Sequence, residues 1–335
     1  MRTVQRLALV ALPALAALSC SPANLGSPPD AAVESAAPVD SGADTGDAGS
    51  SAEQLCKNYA YARCTRLQTC SPTEILLAYG NVATCESLYA ATCTLSQAAP
   101  STGSTPAGVQ GCITALPTWG CTDLIFSENA PPACATPQGS LANGAPCGVN
   151  AQCQSTWCSR LPGSACGTCG PLPQPGTPCE TTAECGSGLT CVGSTKKCAT
   201  HAPLGAACSS TQPCNDGLAC APSGSGNVCQ QTATAGACSP APGCNEYMGL
   251  ACNAATGMCQ TLQVVMAGQP CGTVADQRQD CQAGTCTHGA CVANSPPDAP
   301  CDLAAGPSCM SFGVCVVTSD GGTSGTCQLA GSGCF

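Results

Sequence analysis

Large side chains are scarce in this chain. Phe, Trp and Tyr together make up 3% of it, and histidine occurs twice, at His201 and His288. After Cys147 the longest aliphatic runs are Val264-Val265-Met266 and Val316-Val317. Large apolar residues supply most of the area that folding buries, so the C-terminal half cannot build a sizeable single core. The two histidines lie far apart, and neither has an acid and a nucleophile beside it in sequence; both read as exposed loop residues. No G-x-S-x-G, no Walker loop and no H-E-x-x-H occurs. The expectation is a non-enzymatic protein that needs no cofactor. Basic residues are also few, with 9 Lys and Arg against 19 Asp and Glu, a net charge of −10. That balance argues against nucleic acid and anionic surfaces as partners.

Cysteine, by contrast, is abundant, at 35 of 335 residues. In a chain with so little core material, this density signals a disulfide scaffold made in an oxidising compartment. The N-terminus agrees. Arg2 and Arg6 precede an apolar stretch from Leu7 to Leu18, too short to span a bilayer and suited to a signal peptide. The ending Ala17-Leu18-Ser19-Cys20 resembles a bacterial lipobox, which implies cleavage after residue 19 and lipidation of Cys20. The protein is then expected in the cell envelope, held to a membrane by its N-terminal lipid. Ser21 favours the outer membrane, and a secreted chain is the alternative. Loss of the signal leaves 7 basic against 19 acidic residues, a net −12.

Residues 20–51 read as a tether. From Ser21 to Ser51, 26 of 31 residues are Ala, Ser, Gly, Pro, Asp or Thr, with five acids and no base. Such a segment is expected to be disordered, spanning roughly 30 Å as a flexible coil. Residues 52–143 differ. Helical spacing is visible in "AEQLCKNYAYARCTRLQTC", in "VATCESLYAATCTL" after the break at Tyr79-Gly80, and in "PAGVQGCITAL", which opens on Pro106. Tyr59, Tyr61, Leu67, Leu76, Leu77, Leu88, Tyr89, Leu116 and Trp119 are the expected core. Eight cysteines, Cys56, Cys64, Cys70, Cys85, Cys93, Cys112, Cys121 and Cys134, would staple these helices with four bridges of undetermined connectivity.

Residues 144–335 form a repeat. Cysteines 147, 179, 208, 238, 271 and 301 recur at intervals of 32, 29, 30, 33 and 30, and each opens a four-cysteine unit. The units hold Cys147, Cys153, Cys158 and Cys169; Cys179, Cys185, Cys191 and Cys198; Cys208, Cys214, Cys220 and Cys229; Cys238, Cys244, Cys252 and Cys259; Cys271, Cys281, Cys286 and Cys291; Cys301, Cys309, Cys315 and Cys327. Glycines near the bridges, among them Gly284, Gly289, Gly313 and Gly325, are expected to supply positive-φ turns. Each unit should be two short strands or loops held by two disulfides. The fold class is therefore small and disulfide-rich: a helical, cysteine-stapled domain followed by an elongated, rod-like array of short β/loop repeats.

The unit "G-x-P-C-x5-C-x-x-G-L-x-C … C" resembles the cysteine-rich repeat of Dickkopf N-terminal-type domains. It is similar in particular to tandem arrays of such repeats in cysteine-rich lipoproteins of myxobacterial type. The resemblance covers about Gly144 to Leu329. It implies an extracellular binding module, here one for a protein or glycan partner or for envelope structure, and it assigns no binding residue.

Two cysteines remain. Cys166 with Cys169 makes a C-x-x-C, "CGTC", that suggests redox or metal chemistry as an alternative. Against this, Cys169 is the regular fourth cysteine of its unit and Cys166 is an extra. Cys166 and Cys334 could join the two ends of the array, or pair locally in a rearranged scheme. Setting Cys20 aside leaves 34 cysteines, an even number, so the disulfide arithmetic does not need it.

Overall fold

The computed structural model describes residues 48–335, apart from 162, 181, 187, 225, 239–242 and 318–321. The signal segment, Cys20 and nearly all of the tether lie outside the described residues. Seventeen disulfides join all 34 cysteines from Cys56 to Cys334.

Five helices come first: α1 (Ala48–Cys70), α2 (Pro72–Tyr79), α3 (Val82–Ala98), α4 (Pro106–Ala115) and α5 (Cys121–Phe126). Three are capped by a side chain that accepts from the first turn: Ser71 from Glu74 N, Asn81 from Thr84 N and Thr105 from Gly108 N. Pro72 and Pro106 stand in the first turns, where a missing N–H is harmless. Bridges Cys56–Cys93 and Cys64–Cys85 staple α1 to α3. The eight-residue step along α1 reverses along α3, so the two helices run antiparallel. Cys70–Cys121 ties the end of α1 to the start of α5, and Cys112–Cys134 closes the segment after α4.

The helical core is centred on Leu67, Ile75, Leu88, Leu116, Trp119 and Leu124. Two expected members are corrected: Tyr61 is 63% exposed and Leu76 37% exposed. The buried face of α1 carries Cys56, Ala60, Arg63, Cys64 and Leu67, and residue 61 sits about 100° round the helix from residue 60. Along α2 the inward pair is Ile75 and Tyr79, four apart, which turns Leu76 outward. The short helices α2 and α5 are additions to the three helices expected. The signature of α2, a cap at Ser71, Pro72 and then Gly80 at φ +79°, is visible in the residues themselves.

All six units repeat one construction. The first cysteine bonds the third and the second bonds the fourth, from Cys147–Cys158 and Cys153–Cys169 to Cys301–Cys315 and Cys309–Cys327. The third and fourth cysteines stand opposite one another in an antiparallel pairing such as Leu189–Val192 with Lys197–Thr200. The residue before the first cysteine bridges to that hairpin, as Pro146 does to Thr168 and Ala207 to Val228. Just upstream, a residue at positive φ turns the chain inward: Gly144, Gly176, Gly205, Gly236, Gly268 and, in the sixth unit, Asp298. In five units its N–H donates to the carbonyl of the fourth cysteine, at 2.7 to 2.8 Å. The buried core of a unit is its sulfur, joined by one or two aliphatic side chains such as Leu141 in the first unit.

The four glycines singled out from sequence divide. Gly289 has φ +80°, as expected. Gly284, Gly313 and Gly325 are not at positive φ; they are needed for close approach. A Cβ on Gly325 would stand 2.1 Å from the Val316 carbonyl oxygen, and one on Gly284 2.5 Å from that of Val292.

The array is serial, and its path is not a rod. Its units return again and again to the helices. Gly103 N donates to Ala151 O in the first unit, and Ser71 Oγ donates to Tyr247 O in the fourth. Gln282 of the fifth donates to Gly80 O, and Ser311 of the sixth to Ala78 O. The Phe312 ring meets Tyr89 edge-on at 4.8 Å. Units that cannot bury a face of their own bury it against the helices. The first and last units then meet: Gly331 N donates to Ala165 O at 2.8 Å, and Cys166 is bonded to Cys334.

Candidate functional site

A cleft of about 440 Å³ opens where the third, fourth and fifth units adjoin. The loop after Cys214 brings Asn215 and Asp216 to one wall; the turn after Cys244 brings Glu246 and Tyr247; the hairpin of the fifth unit brings Arg278. Tyr247 is held from behind, because its ring stands edge-on to Phe126 with centroids 4.4 Å apart and its carbonyl accepts from Ser71. Burial, and then the charges of Asp216, Glu74 and Glu246, push the Tyr247 phenol up to about 12. It stays protonated at neutral pH and can donate a hydrogen bond. Arg278 bonds Glu246 and, through Nε at 3.1 Å, Asp280, which fixes the guanidinium at the rim. The wall thus combines a phenol, an amide, the carboxylate of Asp216 and the Glu246–Arg278 ion pair. Such a surface can bind a polar or cationic group.

The repeat alignment did not mark these residues. The sequence signal is that "CNEYMGLAC" has two more residues between its second and third cysteines than the second and third units have, and Glu246, Tyr247 and Met248 fall in that longer stretch. A second, apolar cleft of about 490 Å³ lies along α3, lined by Ala91, Leu95 and Ala98 and bounded by Leu329 and Ser332 of the last unit.

The other sequence candidates are placed as follows. Cys166 and Cys169 are not partners, since Cys166 bonds Cys334 and Cys169 bonds Cys153. The C-x-x-C is divided between two bridges and forms no dithiol pair of its own. Within each of several units three sulfurs lie within 4.8 Å of one another, as for Cys147, Cys153 and Cys169. That closeness comes from two bridges packed side by side. Thiolate is the form that ligates metal, and these sulfurs are oxidised. His288 is exposed, as expected. His201 is not: its side chain is 10% exposed, with Nδ1 3.5 Å from Glu128 Oε1 in the segment after α5. The curled path of the array carries it there. No helix among the described residues is long and apolar enough to cross a membrane.

Comparison with protein-family models, with curated proteins and with solved structures finds no match to this chain.

Proposed function

We propose that the chain is a non-catalytic, lipid-anchored binding module of the cell envelope, displayed on a flexible tether and kin to Dickkopf N-terminal-type repeat arrays. The observation that carries the reading is the oxidised state of every described cysteine, which belongs to an oxidising, extracytoplasmic setting. Cys20 is then the one cysteine left over, and acylation is a use for it that leaves no odd thiol. A frame cross-linked in every repeat holds its surface side chains in place before a partner arrives, which lowers the ordering cost of binding. The cleft around Tyr247 and Asp216 is the surface we assign to a protein or glycan partner.

Two experiments test this. Cys20→Ser should move the chain from the detergent phase to the aqueous phase on extraction, and the intact mass should lose the acyl groups; a variant that stays with the membrane would overturn the anchor. A photo-crosslinking side chain at position 216 should capture an envelope component that the same group at exposed position 288 does not. Equal capture from both positions would overturn the cleft.

A further inference from the structure

Sixteen of the seventeen disulfides are local. Within the repeats they span 10 to 18 residues, and within the helical domain 21 to 51. Cys166–Cys334 spans 168 and is the single bridge between units. Cys166 is exposed on a loop before the strand Gly167–Cys169, and Cys334 lies after the last strand, Ser324–Leu329. We propose that Cys166–Cys334 is a thiol–disulfide exchange site that opens and closes the seam between the first and sixth units, its reaction partner being a dithiol or disulfide oxidoreductase of the envelope. This goes beyond the binding function proposed above and does not depend on it.

Exchange requires a sulfur that an incoming thiolate can reach, and Cys166 offers one. The thiolate of the dithiol attacks Cys166 Sγ, and the electron pair of the broken S–S bond leaves on Cys334 Sγ, which takes a proton. The second thiol of the reductant then displaces Cys166. The reductant departs as a disulfide, and two cysteine thiols remain.

Exposure alone does not single this bridge out, because Cys220, Cys252 and Cys286 are exposed too. Those cysteines sit inside hairpins opposite Cys229, Cys259 and Cys291, and their own partners lie 12 to 15 residues away in the same unit. Thiols freed there stay side by side and close again. Cys334, by contrast, lies after the last strand, Ser324–Leu329, outside any hairpin and opposite no second cysteine of its own unit. Its segment returns to the first unit through Gly331 N on Ala165 O and through Phe335 against Gly148. Once freed, it can leave. Its departure would also open the α3 cleft further, since Ser332, on the same segment, forms part of its wall.

The test is graded reduction of the native, full chain with dithiothreitol at neutral pH, followed by alkylation and mapping. The expected first product carries alkylated Cys166 and Cys334, keeps the other sixteen bridges and binds more of a hydrophobic dye. A different bridge opening first, or all opening together, overturns the proposal. The variant Cys166→Ser/Cys334→Ser should show the raised dye binding without reductant. If that variant fails to fold, the mapping of the natural chain still decides.

Discussion

Arg63 shows how one residue can hold a core that has few large side chains. It is 7% exposed on α1, and its guanidinium stands 5.0 Å from the Tyr89 ring centre and 5.2 Å from that of Trp119. A planar, weakly hydrated cation suits a slot between two π faces, and an ammonium does not. Arg63→Lys should therefore cost about 1–2 kcal/mol. Arg63→Met, which fills the slot without a buried charge, should cost less. Urea denaturation with the disulfides intact measures both; a lysine variant as stable as the natural chain would refute the stacking account. Asp302 makes a polar counterpart. Ser324, Ala305, Ala304 and Thr323 all donate to its carboxylate, and they hold its pKa well below the usual range. A depressed pKa stabilises the fold above the unfolded carboxylate value and loses that contribution as pH falls through the folded one. The amides of Ala304 and Ala305 should lose hydrogen-exchange protection only in strong acid. In Asp302→Asn that protection should be weaker at neutral pH and should show no such acid step.

At the scale of the element, a repeat depends on two different demands for glycine. Gly205 has φ +79° with open space around its Cα, so a methyl group there meets strain and no clash. Gly205→Ala should cost about 1–2 kcal/mol. Asp298, the sixth unit's occupant of the same place at φ +66°, makes the converse prediction: Asp298→Gly should be neutral or stabilising. Gly325→Ala should cost more than Gly205→Ala, because its Cβ would strike a backbone carbonyl that has no room to move. Thermal unfolding of the three variants orders them, and an equal effect at 205 and 325 would contradict the distinction. The recurrence of these glycines beside cysteines is plain in the residues. Which ones answer to torsion and which to contact is not, because that depends on how closely the opposite strand approaches.

For the whole molecule, two kinds of cohesion act together. The bridges hold each unit, and contacts such as Phe312 on Tyr89 hold the units to the helices. Phe312→Ala, at a half-buried ring, should loosen the sixth unit by about 1–3 kcal/mol while leaving Cys301–Cys315 and Cys309–Cys327 formed. Limited proteolysis followed by disulfide mapping would show cuts near the seam in an otherwise intact chain; uniform resistance would mean that the docking contact contributes little. Full reduction should abolish the fold, as read by protease sensitivity.

What the amino-acid sequence by itself determined is everything set by spacing. Cysteines at a period near 30 predict six units of two bridges, helical periodicity predicts α1, α3 and α4, and an even count predicts that Cys166 and Cys334 are left to each other or to a rearrangement. These features are local, so a short stretch of chain contains all that is needed to read them. The tertiary structure alone decided which way the array bends, why Leu76 faces outward, where His201 is half-buried and which residues line the cleft at Tyr247. Each of these depends on pairs such as Gln282 with Gly80 and Ser71 with Tyr247, far apart in sequence. No periodicity records such pairs, because what joins them is the need of small, sulfur-cored units to bury their faces against the helices that precede them.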